Sequence, residues 1–267
     1  MLPNIQCLLA VTARAACVTV FAFFSSPANA AEVRVLAAAA MQSVFKEIRD
    51  DFQRVSGYRL VIHYGTIGAV NEWAFAGEEA DLIIGSSQSM PALVTAGKVD
   101  RNSLVVLCKT GIGVVSANGL EVSVKSVEDF KRVLLGAKAI VYADPSRGGA
   151  AGIHVAKVIE QLGLTNQIKP KVRLAAGGDI TEVTLFLGPA ALGITQISEI
   201  ADKPQAQLVG PLPKELQNYT VFTAGVPTHA TQLAGANALL KFFRTPRVSA
   251  VIKAKGMEGF GPDGGSE

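Results

Sequence analysis

One pattern recurs along this chain and limits what it can fold into. An apolar run is followed by a turn of small residues and then by a segment with helical spacing. "VRVLAAAA" leads to "MQSVFKEIRDDFQRVSG", "RLVIHYGT" to "IGAVNEWAFAG", and "ADLIIGSS" to "QSMPALVTAG". Further on, "AKAIVYADPSRGG" leads to "AAGIHVAKVIEQLG", "KVRLAAGG" to "DITEVTLFLG", and "ALGITQ" to "ISEIAD". In the first helical segment Val44, Phe45, Ile48, Phe52 and Val55 share one face, and Gly57 closes it. Near-continuous apolar strands read as buried on both faces, the signature of a parallel sheet covered by helices. The fold class is therefore α/β.

Six such junctions exceed what one small sheet needs, and 267 residues can build two cores. The expected layout is two-lobed, with a cleft between the lobes. Residues 31–111 and 221–260 form the first lobe, 112–220 the second, and 261–267 a disordered tail. Residues 1–30 read as a cleaved leader: "AACVTVFAFF" is too short to span a bilayer, and Ala28-Asn29-Ala30 fits a small-x-small cleavage pattern. The mature chain is expected in the periplasm, not embedded in the membrane. Cys7 and Cys17 leave with the leader, so Cys108 stands alone and no internal disulfide can form. A net charge of +3 without a basic stripe argues against nucleic acid.

In such sheets helix N-termini gather at the carboxyl ends of the strands, and ligands bind there. The first backbone N–H groups of each helix lack an internal partner, and the helix dipole adds partial positive charge. A small anion is the ligand this arrangement suits. The junction residues permit close approach: Ala39 and Ala40; Gly65, Thr66 and Gly68; Ser86 and Ser87; Gly148 to Gly152; and Gly177-Gly178, while Gln196 at the end of the last strand can both donate and accept. The same residue types also serve as ordinary turns and helix caps. Arg147, just before a helix start, is placed to pair with a carboxylate through two parallel hydrogen bonds. Asp179 reads as a helix cap. His63 and His154 are candidate proton-transfer groups if the cleft is catalytic. No histidine has metal-site spacing, and no cofactor or metal is expected.

Taken together, "VLAAAAMQSVFKEI", "VIHYGTIGAV", "ADPSRGGAAGIHVAKVIEQLG", "ALGITQISEI" and "ALLKFFRTPRVSAVIKAKGME" resemble the molybdate-binding-protein-like group of periplasmic solute-binding proteins of ABC transporters. The resemblance implies a type II periplasmic-binding fold, an ABC permease as partner, and a monomer. It also implies an oxyanion site at Ala40, Thr66, Ile67, Ala151, Ile180 and Gln196. True molybdate binders carry serines at the first two turns and a tyrosine at the last. Here Ala40, Thr66-Ile67 and Gln196 stand there, which points to a di- or tricarboxylate. Aconitate isomerases share this resemblance and imply the alternative, exchange of cis- and trans-aconitate with His154 or His63 as base.

Overall fold

A computed structural model describes residues 30–117, 121–201 and 203–259. The expected leader up to Asn29 and the expected tail lie outside the described residues. The chain alternates as the recurring pattern predicts, with one exception. Strand β1 (Glu32–Ala38) passes through a 3-10 turn at Ala39–Met41 into α1 (Gln42–Ser56). Strand β2 (Arg59–Gly65) opens α2 (Ile67–Ala76), and β3 (Leu82–Ser86) leads to α3 (Met90–Thr95). Strand β4 (Val105–Thr110) runs almost directly into β5 (Ile112–Ala117). Next come α4 (Val127–Gly136), β6 (Ala139–Ala143), α5 (Ala150–Gln161), α6 (Thr165–Ile168) and β7 (Val172–Ala175). After α7 (Ile180–Leu187), β8 (Ala191–Gln196) ends in a 3-10 turn at Ile197–Glu199, not in an α-helix. Strands β9 (Ala206–Pro211) and β10 (Thr220–Gly225), helices α8 (Leu233–Phe243) and α9 (Pro246–Ala254), and β11 (Glu258–Gly259) complete the order.

The strands form two sheets, ordered β11-β4-β10-β3-β1-β2 and β7-β6-β8-β5-β9. Helices flank both, and the protein has two lobes. Neither sheet is fully parallel, which corrects the expectation. Strands β2, β1 and β3 are parallel, as are β7, β6 and β8. Strand β10 is antiparallel to both β3 and β4, and β5 to both β8 and β9. The chain enters the second sheet on β5 and returns to the first on β10, and both run against their neighbours, as does the short β11 against β4. Gly111 alone separates β4 from β5, which belong to different sheets.

Helix α1 shows how the local signal was realised. Val44, Phe45, Ile48 and Phe52 are buried, and Phe45 meets the ring of Phe243 edge-on at 5.6 Å. Gly57 adopts the left-handed φ of 76° and its N–H closes the last turn on Gln53. Val55 is the exception: it falls past the edge of the buried stripe and is exposed. Cys108 is buried on β4 beside the thioether of Met41. Burial holds its thiol protonated, so it has the chemistry of a small apolar residue.

Strand register positions the junctions. Ala38 pairs with Gly65, so the starts of the first two turns lie level. Ala143 pairs with Ala175 in the other sheet, which brings the turns after β6 and β7 level as well. At the lobe crossing Gln217 grips Ile112 like a neighbouring strand. Its Oε1 accepts from the Ile112 N–H at 2.8 Å and its Nε2 donates to the Ile112 carbonyl at 2.9 Å.

Candidate functional site

The level turns of the two lobes face one another across an inner cavity of about 40 Å³. Ala38 to Ala40 and Gly65 to Ile67 line it from the first lobe. Gly149 to Ala151, Gly177, Gly178 and Ile180 line it from the second, together with Thr195, Gln196 and Glu199. No side chain caps the 3-10 turn at Ala39, nor the starts of α1, α5 and α7. The first N–H groups of α5 and α7 therefore remain available to a ligand. Helix α2 differs, because Thr66 accepts from the Ala69 N–H at 3.1 Å.

The lobes touch backbone to backbone at the edge of this cavity. The Gly68 N–H donates to the Gly148 carbonyl at 3.1 Å, and the Thr66 hydroxyl donates to the Arg147 carbonyl at 2.7 Å. A Cβ on Gly68 would lie 2.8 Å from the Gly148 Cα and 2.9 Å from the Arg147 oxygen. One on Gly177 would lie 2.7 Å from the Thr66 methyl. Small residues at these turns thus serve lobe contact as well as access to a ligand.

The expected site residues separate into three groups. Ala40, Thr66, Ala151, Ile180 and Gln196 line the inner cavity. The Thr66 hydroxyl is already engaged with both Ala69 and Arg147, so its role there is structural. Gln196 Nε2 donates to Thr220 Oγ1 at 3.0 Å, and its Oε1 is buried without a partner among the described residues. Because a threonine hydroxyl both donates and accepts, this amide can present either end to the cavity.

Ser86, Ser87 and His154 line a second cavity of about 400 Å³, which shares Ile67 and Ala150 with the first. Ser86 Oγ accepts from the Ser89 N–H at 3.1 Å, and Ser87 Oγ lies 2.6 Å from Thr223 Oγ1. His154 Nε2 donates to the Leu216 carbonyl at 2.7 Å, which fixes the ring and leaves Nδ1 as acceptor in the neutral form.

Arg147 and His63 line neither cavity. Arg147 is exposed, and its Nε donates to the Ala176 carbonyl at 3.1 Å. What it brings to the cleft is its backbone. His63 stacks on Trp73 with ring centroids 3.7 Å apart and bonds Glu78 at 2.8 Å. Asp179 precedes α7 without capping it, and accepts from the Gly177 N–H at 3.1 Å.

The model of the family described as bacterial extracellular solute-binding protein matches residues 33–258. The chain belongs to that family. This solute-binding protein is 22% identical over 245 residues to an aconitate isomerase from a Pseudomonas species, covering 88% of the chain and 92% of the relative. It is 25% identical over 245 residues to the molybdate-binding protein ModA of Azotobacter vinelandii, covering 86% and 90%. Its fold matches the periplasmic molybdate-binding protein of Azotobacter vinelandii with a TM-score of 0.72 at 18% identity, over 84% of the chain and 98% of that structure. Among the described residues no helix is long and apolar enough to cross a membrane.

The inner cavity of this solute-binding protein contains a residue that the sequence did not single out. Glu199 ends the 3-10 turn after β8, is half-buried, and accepts a hydrogen bond from the Thr195 hydroxyl. Burial pushes its carboxyl up from an ordinary 4.5 to about 7. The bonds from Thr195 and the Gln196 backbone oppose that rise, while the charges of Glu182 and Asp179 add to it. Its neighbour Lys203 is paired with Glu182 instead. The available signal was the order of residues in "TQISEI", which returns an acid to the strand end one turn after Gln196. A third cavity of about 240 Å³ lies on the other side of Glu199, lined by Ser43, Ser198, Lys46 and Lys203.

Proposed function

We propose that this solute-binding protein captures a small di- or tricarboxylate between its lobes in the periplasm and presents it to an ABC-type permease. The observation that carries this reading is the pairing of two adjoining cavities. The inner one, lined by small-residue turns, open helix starts and Glu199, takes one carboxylate group. The larger one beside it, with His154 and Lys157 in its wall, has room for the remainder of a longer molecule. A tetrahedral oxyanion would fill only the first. The absence of serine at Ala40 and Ile67 supports the same preference.

The test is a thermal-shift comparison of cis-aconitate, trans-aconitate, citrate, molybdate and tungstate. A carboxylate present at one hundred times its Kd adds about 2.7 kcal/mol of stability. The expected result is stabilisation by at least one carboxylate and none by molybdate or tungstate. Stabilisation by the metal oxyanions alone would overturn the reading.

A second reading is favoured by Glu199 in the inner cavity and by the aconitate isomerase relative. A base there removes a proton from the methylene carbon beside one carboxylate. The double bond shifts, and the same proton count is restored at the other allylic carbon, so no oxidant or reductant is needed. Open helix starts stabilise the charge that develops on the carboxylate. Glu199 and, from the second cavity, His154 are the available groups. Incubating purified protein with cis-aconitate and following the trans isomer by proton NMR separates turnover from capture. Product at many equivalents per protein favours the enzyme, and one bound equivalent without product favours capture.

A further inference from the structure

We propose that Glu199 is a ligand-binding residue that holds the anion in its protonated form, so that one proton enters the site with each anion bound. The proposal rests on the reading of this cleft as a carboxylate site. Glu199 lines the inner cavity on one side and the third cavity on the other, and an anion in the inner cavity lies against it. An ionised carboxyl there would repel the ligand. A protonated one supplies a further donor to the anion, and an acid–carboxylate hydrogen bond is among the stronger kinds.

The surrounding groups favour the neutral form. On α7 and just before it, Glu182 and Asp179 are acidic. Lys203 lines the third cavity but is committed to Glu182. On α1, Lys46 lines only the third cavity and is exposed there. Strand β5, which packs against the Glu199 turn, carries no titratable side chain. Across the inner cavity the facing groups are uncharged turns, and His154 stands in the second cavity. Thr195 donates to one carboxyl oxygen, and the Gln196 backbone also bonds the group. Even before an anion arrives, burial has already brought the carboxyl close to neutral pH.

The experiment is calorimetric titration of the full mature chain with cis-aconitate, citrate and molybdate between pH 7 and 9, in pairs of buffers with different ionisation enthalpies. Carboxylate ligands are fully ionised at the upper end of this range, so they do not supply the proton there. The expected result is proton uptake approaching one per bound anion at the upper end. The affinity then falls by about tenfold per pH unit. Glu199→Gln, which keeps a neutral donor, is expected to bind with an affinity independent of pH and without proton uptake. A carboxylate that binds the wild type with no uptake and no pH slope would overturn the role of Glu199 while leaving the carboxylate site intact. An unchanged slope in Glu199→Gln would do the same. Proton-linked binding of molybdate alone would overturn the carboxylate reading and keep Glu199. Failure of all three anions to bind at any pH would overturn both.

Discussion

Replacing Gly68 with alanine is expected to abolish most anion capture while leaving each lobe folded. Gly68 lies in the first turn of α2, where its backbone is ordinary helix and any residue fits locally. Alanine in a helix is favoured over glycine by roughly 1 kcal/mol. The obstacle is the other lobe: the new methyl would meet the Gly148 Cα at 2.8 Å and the Arg147 carbonyl oxygen at 2.9 Å. Both are main-chain atoms that cannot rotate aside. The lobes must separate, and the helix starts at Ile67 and Ala151 no longer face one cavity. Overpacking of this kind costs on the order of 1–3 kcal/mol, which corresponds to roughly 5- to 150-fold in affinity. Titration of wild type and G68A with the same anion, beside thermal melts of the unliganded proteins, checks both halves. Unchanged affinity in a folded G68A protein would mean that the glycine contact is not needed for capture.

Gly152→Ala is expected to do the opposite, damaging the fold itself. Gly152 lies in the first turn of α5, and a Cβ there would sit 2.1 Å from the Ala143 carbonyl oxygen and 2.8 Å from its carbon. Ala143 ends β6, an interior strand of the second sheet, paired with Ala175, so it cannot readily retreat. The helix start must lift off the strand and carry the Ala150 and Ala151 N–H groups out of the cavity. A loss of about 3 kcal/mol or more of unfolding free energy is expected, at the upper end of overpacking effects. Chemical denaturation measures it. A loss below about 1 kcal/mol would show that α5 does not pack this closely on β6.

Much of the fold was legible because hydrophobic period and turn chemistry are local. Phe45, Ile48 and Phe52 announced α1, and Gly57 its end. The sense of the strands was not legible, because an apolar run such as "VVLCKT" or "TVFTAG" reads alike in either direction. Pairing depends on partners more than a hundred residues away, as between β10 and β4. The inner cavity was partly legible from its small turn residues. Which lines it and which stands beside it depends on register: Ser86 and Ser87 end a strand whose turn faces the second cavity. Arg147 was legible as a charge beside a helix start, whereas the bond from its Nε to Ala176 was not. Glu199 went unread for the converse reason. An acid beside a strand end looks like a surface residue until the packing of the Ile197–Glu199 turn against the Ala39–Met41 turn buries it.

The capture of an anion by backbone N–H groups from both lobes is most directly measured by an amide NMR titration of the uniformly labelled protein with cis-aconitate or citrate. The N–H resonances of Ala40, Ile67, Ala151 and Ile180 should shift together and saturate at one equivalent. Saturable binding that leaves these four unmoved and perturbs amides elsewhere would contradict the site described between the lobes.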